Sequence, residues 1–316
     1  MRPTTRLSIL VSLTILALGL NGCGPPSGVP SGGGLGSGGG SSALRGTFVS
    51  GKESPVPATL DSTFKPLDIG PNVSTIGGLG GDLEGIFVEP RGGIYIADTI
   101  HNRIVSYNNT VLTTYGTTGS GQGQFNTPTT LWVGGGGSPI YICDTGNNRV
   151  VRMDDMTGSN WTTLSSAANI PFSRPHGICV SGNGTKFQGI WISDTGNNRI
   201  IRVDDMNGIG AQSRSVQNPN AVFVTPDKLY IASRNSIIQA DSISLTNAIT
   251  YGTVGPGVGH FGDITSLFVD DHNAIWIADP GNNCIVVVDN INGDGWHEYS
   301  PGYTDPAFFP ASVCVR

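Results

Sequence analysis

The chain has 316 residues, of which 13% are charged, with a formal charge of -6 and 47 glycines beside 20 prolines. Such a length can bury a large core, but so much glycine and proline excludes a protein of long helices and favours short strands joined by tight turns. An acidic chain without a basic run also excludes a nucleic-acid-binding surface, because phosphate backbones are held by clustered Lys and Arg.

Residues 1–22 have the grammar of an export signal: Arg2 and Arg6 precede the apolar run from Leu7 to Leu20, which is too short to cross a bilayer comfortably. Leu20-Asn21-Gly22-Cys23 resembles a bacterial lipobox, which implies acylation of Cys23. Gly24 stands where inner-membrane retention signals carry Asp. The resemblance therefore implies an extracytoplasmic lipoprotein of the cell envelope, at the outer membrane or cell surface, touching the membrane through its lipid anchor alone. Residues 23–42 form a Gly/Ser-rich tether with no side chains to offset the entropy of ordering. As a random coil it spans about 25 Å.

Residues 43–316 are organised by a repeat. Ile142-Cys143-Asp144-Thr145-Gly146-Asn147-Asn148-Arg149-Val150 returns as Ile192-Ser193-Asp194-Thr195-Gly196-Asn197-Asn198-Arg199-Ile200, with weaker copies around Asp98 to Arg103 and Asp279 to Cys284. Together with Ser233 these marks are 46, 50, 39 and 46 residues apart, the spacing of β-propeller blades with several strands each. The inner strands align as Ile86-Phe87-Val88, Leu131-Trp132-Val133, Ile178-Cys179-Val180, Val222-Phe223-Val224, Leu267-Phe268-Val269 and Val313-Cys314-Val315. The last lies at the C-terminus, while Gly46 to Gly51 matches a second strand. The expectation is an all-β propeller of six blades, closed by a C-terminal inner strand pairing with N-terminal outer strands.

Asp98, Asp144, Asp194 and Asp279, with Arg103, Arg149 and Arg199, recur from blade to blade, and one active site does not need four copies of a motif; these residues read as braces. Pro175-His176-Gly177-Ile178 followed by Gly189 to Ile200 resembles the NHL repeat, and Asp98-Thr99-Ile100-His101-Asn102-Arg103 shares its spacing in altered order. The resemblance covers roughly residues 45–316 and departs from the pattern at Ser233-Arg234-Asn235-Ser236 and at Cys284. It implies a six-bladed fold that carries lyases, lactonases and non-enzymatic platforms alike.

Ligands of such folds sit at the channel mouth. There the alignment places Glu84, Thr129, His176, Asn220, Thr265 and Ala311, four residues before each inner-strand valine. A carboxylate, an imidazole and an amide in this ring suit a proton-transfer pair and leave room for a divalent cation, although no cofactor is firmly implied. His176 is the ring's single histidine, so the sequence favours a non-catalytic scaffold, a monomer that binds a protein, peptide or glycan. The alternative is an extracytoplasmic lyase or lactonase with its site at the mouth. Cys143, Cys179 and Cys314 occupy strand positions that suit buried thiols; whether Cys284 and Cys314 pair stays open.

Overall fold

A computed structural model describes residues 47–52, 59–60, 66–67, 83–89, 93–108, 111–182, 188–299 and 309–315. The export signal, Cys23 and the tether lie outside the described residues.

Five blades are each one continuous run of four antiparallel strands. Blade 1 comprises Leu83–Val88, Ile94–Asp98, Arg103–Tyr107 and Leu112–Tyr115. Blade 2 comprises Pro128–Val133, Ile140–Asp144, Arg149–Met153 and Thr162–Leu164. Blade 3 comprises Pro175–Ser181, Gly189–Asp194, Arg199–Val203 and Gln212–Ser215. Blade 4 comprises Pro219–Val224, Leu229–Ser233, Ser236–Ala240 and Ile249–Tyr251. Blade 5 comprises Ser266–Val269, Ile275–Asp279, Cys284–Val288 and His297–Tyr299. A further four-stranded sheet is assembled from both chain ends, in the order Pro66–Leu67, Thr59–Leu60, Thr47–Lys52 and Phe309–Val315.

The expected six-bladed NHL-type propeller, closed by a C-terminal inner strand with N-terminal outer strands, is corrected by this topology. Among the described residues five blades are continuous, the sixth four-stranded sheet is composite with two strands of two residues, and no sheet closes on itself as a barrel does. In the composite sheet Thr47 lies opposite Val315 and Val49 opposite Val313, so the chain ends are joined by antiparallel pairing.

The second strands carry apolar residues on both sides because each blade is sandwiched between two others; Ile140, Ile142 and Cys143 are fully buried. Packing runs from blade to blade. Ala97 and Ile104 of blade 1 share a core with Leu131, Val133, Ile140 and Val151 of blade 2. Cys179, Trp191 and Ile200 of blade 3 do the same with Val222, Leu229 and Ile231 of blade 4. Burial of this kind is worth about 1.5–3 kcal/mol for each large aliphatic side chain. Along the axis, half-buried rings of the inner strands fill the channel: Phe87 lies 4.9 Å from Trp132, Trp132 6.3 Å from Phe223, and Phe223 4.9 Å from Phe268, between ring centres. Cys143, Cys179, Cys284 and Cys314 are buried thiols, so Cys284 and Cys314 do not form a disulfide.

Candidate functional site

The repeat motif is a joint between elements. Asp98, Asp144, Asp194 and Asp279 have no exposed surface. A buried carboxylate must be paired and hydrogen-bonded to be tolerated. In blade 3, Asp194 accepts from the Ser173 N–H at 2.7 Å, from Asn197 Nδ2 at 2.8 Å and from Arg199 Nε at 2.6 Å. Asp144 has the same partners in Asn126, Asn147 and Arg149. Burial still pushes the Asp144 carboxyl up, against the lowering effect of those donors. The guanidinium of Arg149 continues outward to the carbonyls of Ser120, Gly121 and Gln124. Asn102, Asn148, Asn198 and Asn283 take the left-handed conformation that ends each turn, with φ between 51° and 55°.

Blade 5 lacks the arginine because Cys284 occupies its place. Asp279 is instead held by the N–H groups of Gly262 and Asp263 and by Asn282. In blade 4, Ser233 donates to the Gln217 carbonyl, and Asn235 donates to the carbonyls of Phe261 and Gly262.

The threonine of the motif reaches the neighbouring blade rather than its own turn. Thr99 Oγ1 donates to the Pro128 carbonyl at 2.7 Å, and Thr145 Oγ1 to the Pro175 carbonyl and Thr195 Oγ1 to the Pro219 carbonyl at 2.6 Å each. These carbonyls lie immediately before Thr129, His176 and Asn220, so the brace of one blade fixes the ring residue of the next.

The ring residues stand on β-bulges. Leu83 pairs with Asp98 and Gly85 with Ala97, leaving Glu84 as the extra residue; His176 and Asn220 are extra in the same way, and blade 2 is irregular between Pro128 and Leu131. A bulge re-aims a side chain that would otherwise alternate with its neighbours. The glycines that follow allow the blades to approach. A Cβ at Gly85 would lie 2.4 Å from the Thr129 carbonyl oxygen, and one at Gly177 would lie 2.7 Å from that of Asn220.

Most ring side chains are committed to holding the circle. Thr129 Oγ1 reaches the His176 carbonyl at 3.0 Å, Asn220 Nδ2 the Ile264 carbonyl at 2.7 Å, and Thr265 Oγ1 the Ala311 carbonyl at 2.7 Å. His176 Nδ1 lies 3.0 Å from the Asn220 carbonyl oxygen. A carbonyl can only accept, so Nδ1 carries a proton, and in the neutral ring the lone pair is on Nε2. That Nε2 lies 3.8 Å from Glu84 Oε2, with the two side chains 23% and 17% exposed. The separation exceeds a hydrogen bond but leaves the carboxylate close enough to stabilise positive charge on the ring.

The structure thus joins Glu84 to His176, and separates Thr129, Asn220 and Thr265 from them by role. It leaves the other histidines outside this pair: His101 is bound to Asp98 at 2.7 Å, His260 to Thr253 at 2.8 Å, His272 sits in a turn, and His297 is in an outer strand. For a divalent cation, Glu84 and His176 supply two donors, short of the three protein ligands usual in a catalytic site. Among the described residues no group of three His, Cys, Asp or Glu side chains could hold a metal ion. The bulges and blade-to-blade bonds are invisible to strand patterning, although Pro128, Pro175, Pro219 and Pro310, each directly before a ring residue, are a signal for irregular strand starts.

No protein-family model matches the chain, and no curated protein matches its sequence. In structure it is similar to virginiamycin B lyase from Staphylococcus aureus, with a TM-score of 0.53 and 18% identity over 71% of this chain and 72% of that one. A catalytically inactive histidine-to-alanine variant of the same enzyme, solved with quinupristin, is similar at a TM-score of 0.52 and 19% identity, covering 71% and 72%. A chain of a nidogen/laminin complex is similar at a TM-score of 0.61 and 11% identity, covering 85% of this chain and 97% of that one. These likenesses show a shared propeller fold. They correct the expected membership of the NHL-repeat family, as does the absence of any matching family model. They also overturn the expectation of a non-catalytic scaffold for a protein, peptide or glycan, and with it the leaning away from an enzyme, since the lyases are catalytic proteins on this fold. The expected extracytoplasmic, lipid-anchored placement is corrected by the same likeness to the virginiamycin and streptogramin B lyases.

Proposed function

We propose that the chain is a lyase whose reaction takes place at the channel mouth, with His176 as the base and Glu84 as its charge partner. The observation that carries this reading is the anchoring of His176 Nδ1 on the Asn220 carbonyl, which leaves Nε2 facing the Glu84 carboxylate at 3.8 Å. A histidine with one nitrogen anchored and the other presented is the usual arrangement of a general base.

In an elimination, Nε2 takes the proton from a carbon next to a carbonyl. The C–H electron pair becomes a carbon–carbon double bond, and the bond to the neighbouring heteroatom breaks with its electrons. The imidazolium so formed is stabilised by Glu84 and returns its proton to the leaving heteroatom. Water is neither consumed nor added. Asn220 fixes the ring of His176 through its carbonyl, while Thr129 secures the backbone of the same residue.

Support for the reaction class comes from the propeller shared with virginiamycin and streptogramin B lyases, and from the loss of activity when a histidine of one of them is replaced. Streptogramin B antibiotics such as virginiamycin B and quinupristin are therefore the first substrates to test. Mass spectrometry of the reaction separates the chemistries. Elimination that opens a ring yields a product of unchanged mass with a new double bond, whereas lactonase action adds one water. Absence of any conversion, or a product with added water, contradicts the lyase reading.

A further inference from the structure

Two links between blades share one pattern. Thr117-Thr118-Gly119-Ser120-Gly121-Gln122-Gly123-Gln124-Phe125 joins blades 1 and 2, and Thr253-Val254-Gly255-Pro256-Gly257-Val258-Gly259-His260-Phe261 joins blades 4 and 5. Both fold alike. The first and last pairs of residues run parallel to one another, and Phe125 and Phe261 are each fully buried against a tyrosine and a tryptophan, Tyr115 and Trp161 or Tyr251 and Trp296.

They differ in what holds them. The first link is clamped: Arg149 donates to the carbonyls of Ser120, Gly121 and Gln124, Asn147 to that of Gly119, and Asn102 to the Thr118 hydroxyl. The link between blades 2 and 3 is likewise clamped by Arg199, through the carbonyls of Ala167 and Ile170. In the second copy the corresponding arginine is Cys284, which is buried and cannot reach a carbonyl. Among the described residues, the ties from elsewhere are Asn282 to the Gly255 carbonyl and Asn235 to the Phe261 carbonyl at the foot.

The unclamped copy is also the apolar one. Val254 and Val258 are 73% and 69% exposed, where the clamped copy has Thr118 and Gln122. Its C-terminal end runs through Ile264, whose carbonyl is bound by Asn220, into Thr265 of the mouth. An exposed apolar tip on a poorly tied, glycine-rich loop rooted at the mouth has a way to bury its valines that its clamped counterpart lacks.

We infer that Thr253–Phe261 is a mobile gate over the channel mouth, released by the presence of Cys284 where blades 2 and 3 carry a clamping arginine. This extends the lyase reading by supplying the element that would close over its substrate, but it rests on different observations. Water exclusion by a closing loop is a common need of such chemistry.

Two measurements on the unliganded full chain test it without any use of lyase activity, so that its failure and the failure of the lyase reading are separable. In hydrogen exchange, the amides of Val254 to Gly259 are expected to exchange about tenfold faster than those of Thr118 to Gly123. Cys284→Arg is expected to bring the two loops together. Arg149→Cys is the converse variant, expected to accelerate the first loop. Equal exchange in the two wild-type loops overturns the release. In peptide-resolved carbethoxylation with diethylpyrocarbonate, holding the gate open by Cys284→Arg is expected to raise the rate at His176 about twofold. The surface pair Val254→Ser and Val258→Ser, which removes the apolar reason to close, is expected to do the same. An unchanged His176 rate in both variants overturns the gating.

Discussion

The braces show how much depends on the setting of one residue type. Arg103 and Arg199 occupy the same motif position and pair with fully buried carboxylates at 2.7 and 2.6 Å. Their side chains are 23% and 5% exposed. Water can reach the site more readily when Arg103 is removed, whereas Arg199→Ala leaves Asp194 buried beside an empty volume. Chemical denaturation is expected to show a loss of about 3–5 kcal/mol for Arg199→Ala and clearly less for Arg103→Ala. Equal losses would mean that the surrounding bonds, not the ion pair, carry the joint. Thiol chemistry provides a second test at this scale. Burial pushes the Cys179 thiol up to about 12 and raises those of Cys143 and Cys284 as well. Near pH 8 these groups are overwhelmingly protonated, and the thiolate is the reactive form. Native protein is expected to leave Cys143, Cys179 and Cys284 unlabelled by maleimide over a time in which denatured protein is fully labelled; prompt native labelling would show that the blades open.

At the scale of the strand, the bulge and the glycine after it form one device. Gly177 lets the backbone of blade 4 pass so closely that a Cβ there would meet both the Asn220 oxygen at 2.7 Å and the Ala221 Cα at 2.8 Å. Gly177→Ala must displace the carbonyl that anchors His176. It is expected to cost about 1–3 kcal/mol of stability and to depress activity through the ring's orientation. Thr145→Val should cost about 1–2 kcal/mol by leaving the Pro175 carbonyl without its donor, with no new clash. Wild-type stability in both variants would contradict the joint.

This is also the scale at which sequence reading reached its limit. The inner strands around Phe87, Trp132 and Phe223 could be read from their apolar triplets, because burial on both faces leaves a plain pattern. The positions of Glu84 and His176 could be reached by counting back along those strands. Their pairing could not, since it depends on a bulge that shifts register by one residue and on bonds between segments more than forty residues apart. The repeat also suggested six blades, whereas five are continuous and the other four-stranded sheet is assembled from four separate pieces of the chain.

For the whole molecule, joining the distant strands of the composite sheet and building the mouth are the same problem. Phe309–Val315 pairs with Thr47–Lys52 and places Ala311, whose carbonyl receives the Thr265 hydroxyl, in the circle of mouth residues. Truncation before Phe309 exposes the edge of Thr47–Lys52 and the flank of blade 5. It is expected to yield a protein that self-associates in analytical ultracentrifugation, as unpaired edges invite. A monodisperse and equally stable truncation would show that the composite sheet is dispensable.

Catalysis by His176 is tested most directly by kcat/KM for virginiamycin B with wild type and His176→Ala, the variant being measured with and without added imidazole. The expected result is a loss of about 10²–10⁴-fold, partly recovered by imidazole as a soluble base. Full activity of His176→Ala, or no turnover by the wild type, would contradict a mouth-centred lyase.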